Sequence, residues 1–280
     1  MSGQVQIVEE SLRQLINRGA IEVPMLPEVA NKVLMLAQNH DSDAGEMAQL
    51  IQGDQSLAGH VMRIANSAAY TPMSNLVSLQ QAIARLGMGT ISEIALTAAI
   101  GAKIFNTPNY EAYVAGVWQH ALTTSLWSKE IARQCRSNVE VAFLAGLLHS
   151  IGRPAVLQTI LEIAKKQQLE LSDGDIHHLE NSYCHQVSMA VVNAWKMPTL
   201  VTEAIESFTD SRNSLAVENH AAQVIAGAKF ASNMLEPETF DREVLFALPV
   251  FETLNLYQEE IEELLTKTDS IAARLEGLSS

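Results

Sequence analysis

The sequence predicts an all-α protein built as a two-lobed helical bundle, and three observations carry that expectation. Apolar residues recur at three- and four-residue spacing along nearly the whole chain. No segment alternates apolar and polar residues as a half-buried strand would, and no strand–turn–helix unit or fixed-period repeat is present. The 280 residues, 48% of them apolar types and 18% charged, suit one large domain or two small ones and exclude a disordered chain.

The elements follow in order. Val8, Leu12, Leu15 and Ile16 form an apolar stripe that ends at Gly19. Pro24-Met25-Leu26-Pro27 is a stiff connector, and Pro27 suits the first turn of a helix carrying Val29, Val33 and Leu36. Asp43, with Glu46 three residues on, caps a short helix through Ile51, and Asp54 caps the next, where Leu57, Val61 and Ile64 share a face. Ser78 opens another helix, with Gly87 as its left-handed terminator. Gly87-Met88-Gly89 is not a phosphate loop, since no strand precedes it. A long helix begins near Tyr110 with Val114, Trp118, Leu122 and Leu126. Asn138 then caps VEVAFLAGLLHS, apolar almost all round and therefore buried. Helical patterns continue over about 153–168, 175–194, 198–208, 214–234, 239–247 and 253–275. The two lobes meet near residues 106–112.

Lys and Arg total 18 against 32 Asp and Glu, a net charge of −14, which argues against a nucleic-acid surface. Residues 236–280 alone hold 3 basic and 11 acidic side chains, for −8. No run of eighteen apolar residues and no basic leader with an apolar core is present, so neither a membrane nor a secretion route is expected. Cys135 and Cys184 lie far apart without a CxxC pair. They read as two buried thiols of a cytoplasmic protein.

Eight histidines are the candidates for chemistry: His40, His60, His120, His149, His177, His178, His185 and His220. His120, His149 and His185 fall on helices that can converge in a bundle centre, where imidazoles commonly build a metal site. The plain alternative for each is a core histidine whose N–H meets a backbone carbonyl. His177 and His178 read as an exposed pair at a helix start, with no carboxylate sharing their stripe.

Three segments of the first lobe are distinctive: LPEVANKVLMLA, QSLAGHVMRIANSAAY and SLQQAIARLGMGTISEIAL. Three more follow in the second: VWQHALTTSLWSKEIA, AFLAGLLHSIGRPAVL and CHQVSMAVVNAWKMPTLVTEAI. Together they resemble the HDOD domain, a helical output module of bacterial signalling proteins, over about residues 20–235. The resemblance implies an N-terminal helix over 1–19 and a first lobe over 20–109. An HD-domain-like second lobe covers 110–235, with acidic helices of 236–280 packed on it.

HDOD domains are similar to the HD superfamily of metal-dependent phosphohydrolases, whose ligands are a histidine, a His-Asp pair and a distant aspartate. Residue by residue, His120 matches the first histidine and His149 that of the pair, but Ser150 stands where the aspartate belongs. His185 matches an additional histidine of the cyclic-di-GMP phosphodiesterase branch. Ser207-Phe208 replaces a His-His stretch, and Lys229 falls about where the closing aspartate should be. A metal-bound hydroxide needs anionic oxygen ligands, and a serine and an ammonium do not supply them. The resemblance therefore implies a degenerate metal site and a regulatory domain acting through other signalling proteins. No catalytic residue and no cofactor are expected. The three imidazoles leave room for one divalent ion, zinc or manganese. The alternative is a phosphohydrolase acting on a nucleotide or cyclic dinucleotide. A third reading has Lys229 and Arg153 hold a small anion or nucleotide without turnover, and a homodimer is left open.

Overall fold

The computed structural model describes residues 3–39, 41–71, 76–101, 104–208 and 219–279. Among these no strand occurs, and the all-α expectation holds. The first lobe gathers α2 (Glu28–Gln38), α3 (Ala44–Gln52) and α4 (Gln55–Ala65) around α5 (Leu79–Ile100). Its caps are those the sequence announced. Asp43 accepts from Gly45 and Glu46 N–H, Asp54 from Leu57 and Ser78 from Gln81. Gly87 does adopt positive φ, at 83°, but it does not end the element. The chain kinks there and turns helical again at once, because Ile91, Ile94, Ala95 and Leu96 pack beneath the continuation.

The second lobe centres on α6 (Glu111–Gln134), sandwiched between α7 (Val139–Leu148) and α11 (Asn219–Leu235). Close approach is possible because the buried face of α6 carries small residues, Thr123, Thr124, Ser125 and Ser128. Three of these hydroxyls donate back to their own helix, at Gln119 O, Leu122 O and Thr124 O, and so need no partner across the interface. Then α8 (Gly152–Gln167) packs on α9 (Asp173–Ala194), and α10 (Thr199–Glu206) rests on α7 and α9. The run 139–167 is apolar enough to resemble a membrane span by composition, but 78% of its most apolar window is buried in the protein.

The terminal elements tie the lobes together. Helix α1 (Gly3–Asn17) docks on α8 and α9, with Tyr183 donating to Glu9 at 3.0 Å. Trp195 Nε1 donates to Pro24 O at 2.8 Å and fixes the connector. Between the lobes Lys129 on α6 pairs with buried Glu93 on α5 at 2.6 Å. The pattern expected over 253–275 resolves instead into three helices, α13 (Val250–Thr253), α14 (Gln258–Leu265) and α15 (Thr268–Ser279). They follow α12 (Arg242–Phe246), and α15 lies on both α6 and α5.

Candidate functional site

His149 caps the C-terminus of α7, where its N–H bonds Ala145 O. The position is dictated by the apolar run before it: α7 is buried along its length, so its end stops inside the lobe. His149 is 6% exposed, and its Nδ1 lies 2.7 Å from Gly146 O. That contact assigns the proton to Nδ1 and leaves the lone pair on Nε2. Burial pushes its pKa down to about 3, with the neighbouring His120 and Arg153 adding to the shift against the Gly146 hydrogen bond.

His120 comes from α6, half-buried, with its ring 6.4 Å from that of His149. Its Nε2 lies 3.2 Å from Ser232 Oγ. That hydroxyl already donates to Ala228 O, so it accepts from His120, and the Nε2 carries the proton. Burial lowers the His120 pKa; Glu236 raises it, while Arg153 and Lys229 lower it. The two imidazoles are thus adjacent and neutral, one facing away into a hydrogen bond and the other presenting a lone pair.

The remaining candidates separate. Phe208 sits 4.8 Å, ring to ring, from His149 and covers it with apolar surface. Ser207 ends α10 as its C-cap, its N–H on Glu203 O. Lys229 is half-buried on α11, with its ammonium 5.7 Å from the Phe240 ring. Ser150 is buried but lines a narrow apolar cleft with Gly101, Phe105, Val117 and Trp118. His185 does not join the site. The inward face of α9 is set by Val187, Ser188 and Val191, and the helical period puts residue 185 on the solvent side. His60 is exposed, and His40 lies outside the described residues. His220 is near Ser137 and Gln223, at 3.4 and 3.3 Å, partners that spacing did not show. Cys135 and Cys184 are free and half-buried rather than buried.

Two features escaped the sequence reading. The first is Ser188, which donates to His149 O at 3.1 Å and accepts from Gly152 N–H at 2.9 Å, pinning the α7–α8 corner to α9. It lies inside the quoted CHQVS stretch, but nothing in a serine at that spacing announces such a role. The second corrects the view of His177. Its Nδ1 lies 3.3 Å from Glu180 Oε2, on a fully buried carboxylate that also accepts from Tyr113 OH at 2.7 Å. Burial pushes the Glu180 pKa upward, against the hydrogen bond from Tyr113 and the charge of Arg153. The apolar-looking face of α9 hid this carboxylate.

Among the described residues no three His, Cys, Asp or Glu side chains are arranged to hold a metal ion. The donor chemistry agrees: His120 spends its Nε2–H on Ser232, Ser150 lines an apolar cleft, and Phe208 stands beside His149. A hard divalent ion asks for carboxylates, and these residues do not fit one.

The fold is shared with solved structures. A candidate metal-dependent phosphohydrolase from Shewanella amazonensis SB2B superposes with a TM-score of 0.74 at 20% identity, over 98% of this chain and 100% of that one. An HDOD domain protein with unknown function from Geobacter sulfurreducens gives 0.72 at 20% identity, over 98% of both chains. A candidate signal transduction protein from Marinobacter aquaeolei VT8 gives 0.68 at 23% identity, over 99% of this chain and 66% of that one. In sequence, an uncharacterized protein of Treponema pallidum (strain Nichols) is 19% identical over 232 residues, 78% of this chain. The chain spans only 44% of that relative's length. The family model of the HDOD domain matches residues 23–211, and on that match, over more than half its length, the chain belongs to the HDOD domain family.

Proposed function

We propose that this chain is a non-catalytic output domain of bacterial signal transduction, acting in the cytoplasm through contacts with other signalling proteins, with a relic of an HD metal site in its second lobe. The observation that supports this most is the setting of His149: an imidazole with an open lone pair, faced by the Phe208 ring, where no three His, Cys, Asp or Glu side chains of the described residues are arranged to hold a metal ion. A phosphohydrolase built on such a pocket would lack both the anionic ligands and the general base that a metal-bound hydroxide requires. The same tautomer weighs against a phosphate at His149, because a lone pair repels an anionic oxygen.

A second reading, a metal-dependent phosphohydrolase, keeps one observation in its favour. The Nδ1–H of His149 held on a backbone carbonyl, with Nε2 free, is how a metal-ligating imidazole is oriented. The two readings separate in one set of measurements on the purified protein. Metal analysis, thermal melts with and without a strong chelator, and a screen of generic phosphodiesters, nucleotides and cyclic dinucleotides with added Mn²⁺ are compared. The proposal expects no stoichiometric metal, an unchanged melting temperature and no metal-dependent turnover. A chelator-dependent drop in melting temperature together with turnover would establish the enzyme instead.

A further inference from the structure

Glu130 on α6 is 4% exposed and collects three cations: Arg133 from its own helix, Lys267 at 3.0 Å and Arg274 at 3.0 Å. Residues 236–280 hold only three basic side chains, Arg242, Lys267 and Arg274, and two of them converge on this one carboxylate. Lys267, in the turn just before α15, and Arg274, within it, both reach Glu130 and so fix the start and the middle of the helix. Ile271, Leu275 and Leu278, at i, i+4 and i+7, are buried beside them. Helix α15 is thereby laid across the seam between α6 of the second lobe and α5 of the first.

Its last turn reaches the segment that marks the family in the first lobe. Asn66 holds that segment in shape, accepting from Leu76 N–H at 2.7 Å and donating to Leu76 O at 3.0 Å. A Cβ at Gly277 would stand 2.9 Å from Ser67 Oγ, so the helix crosses there at glycine distance. The covered Ser67 hydroxyl is buried and makes no hydrogen bond among the described residues. The contact takes that hydroxyl out of water and returns no hydrogen bond to it, so it costs free energy at this point. The ion pairs that hold it are within reach of solvent, since Lys267 and Arg274 are 29% and 30% exposed.

We propose that α15 is a displaceable strap over a docking groove formed by residues 66–71, α5 and Glu130, and that the groove receives an amphipathic helix of a partner protein. The chemistry of that helix is read from the one already lying there: a basic residue just before its first turn and another seven residues on, an apolar stripe, and a small residue where it crosses Ser67. This rests on the protein-contact reading above and names the surface through which contact is made. An incoming helix that carries the same two charges and the same apolar stripe competes for the surface that α15 covers.

The test uses the full chain. Hydrogen exchange is compared for the wild type at low salt and in 1 M NaCl, and for the double variant Lys267→Glu with Arg274→Glu. A labelled synthetic peptide of residues 264–279 is titrated into both proteins. The expected result is roughly tenfold or faster exchange confined to α15 in the variant and at high salt, with α6 and α11 unchanged. The peptide should bind the variant saturably and the wild type not. Acceleration spread evenly over the molecule, or an α15 indifferent to charge reversal and salt, overturns the strap. Release of α15 without capture of the peptide overturns the groove. If the variant does not fold, the wild-type salt comparison decides. Metal-dependent turnover would sink the signalling reading while leaving these exchange results untouched.

Discussion

His149 is held neutral by its position, and that has a consequence that can be measured. Its folded pKa of about 3 lies well below that of an unfolded histidine. The unfolded chain therefore binds a proton that the folded chain refuses, and stability present above about pH 6.5 is lost as the pH falls toward 3. By pH 5 the loss from this residue is about 2 kcal/mol. Glu180, whose carboxyl is pushed upward by burial, works in the opposite sense, so the comparison must be between proteins. Urea unfolding of the wild type and His149→Gln at pH 7.5 and pH 5 should show a smaller pH gap in the variant by that amount. Equal gaps would show that His149 is not the buried neutral base described. At this scale the pairing of His120 with His149 was legible, because the family motifs carry their order. The serines that orient them were not. Ser232 and Ser188 act through a single hydroxyl each, and a hydroxyl's partner is fixed only when two helices meet.

Caps and apolar stripes made most helices readable, since Asp43, Asp54, Ser78 and Asn138 each satisfy backbone N–H groups within three residues of themselves. The stretch over 253–275 was not. Its first break falls at Asn255, which takes φ +51° without a glycine to advertise it, and Tyr257 stands where a Ser or Asp cap would be looked for. The corner between α7 and α8 is the element-level feature on which the candidate site depends. A Cβ at Gly152 would stand 2.1 Å from Cys184 O and 2.6 Å from Ser188 N, both backbone atoms that cannot rotate away. Gly152→Ala should therefore force α8 off α9 and cost about 3 kcal/mol. Urea unfolding gives that loss, and faster alkylation of the half-buried Cys184 thiol reports where it occurs. A variant as stable as the wild type, with unchanged thiol reactivity, would show that the corner is loose.

One hydrophobic core runs through both lobes and the terminal helices, and the Glu130 ion pairs lie on the seam between the lobes. Burial alone would raise the Glu130 pKa, but hydrogen bonds and charge from Arg133 and Lys267 hold it down at about 2. A depressed carboxylate contributes stability that is complete above the ordinary range near pH 4.5 and is lost as the pH falls toward 2. Glu130→Gln should cost about 2 kcal/mol at pH 7, typical of hydrogen bonds to a charged group, and almost nothing at pH 2. Acid titrations followed by circular dichroism would show the wild-type curve meeting that of the variant at low pH. A constant offset between the curves would mean that Glu130 acts by shape and not by charge.

The sequence by itself determined the all-α class, the order of the helices, their caps and the family, because those depend on periodicity and on local backbone hydrogen bonds. It also marked the exchange of acids for Ser150 and Lys229, and of a His-His stretch for Ser207-Phe208. Tertiary structure alone decided what those exchanges mean. Ser150 lines an apolar cleft, the Phe208 ring lies tilted against His149, and Lys229 rests against Phe240. It likewise sent His185 to the surface, buried Glu180 under Tyr113, and laid the acidic C-terminus across the seam through its few basic residues. Each of these outcomes depends on which faces of distant helices meet. That is set by packing across the whole core and by the charges it shuts away from water, neither of which a local pattern encodes.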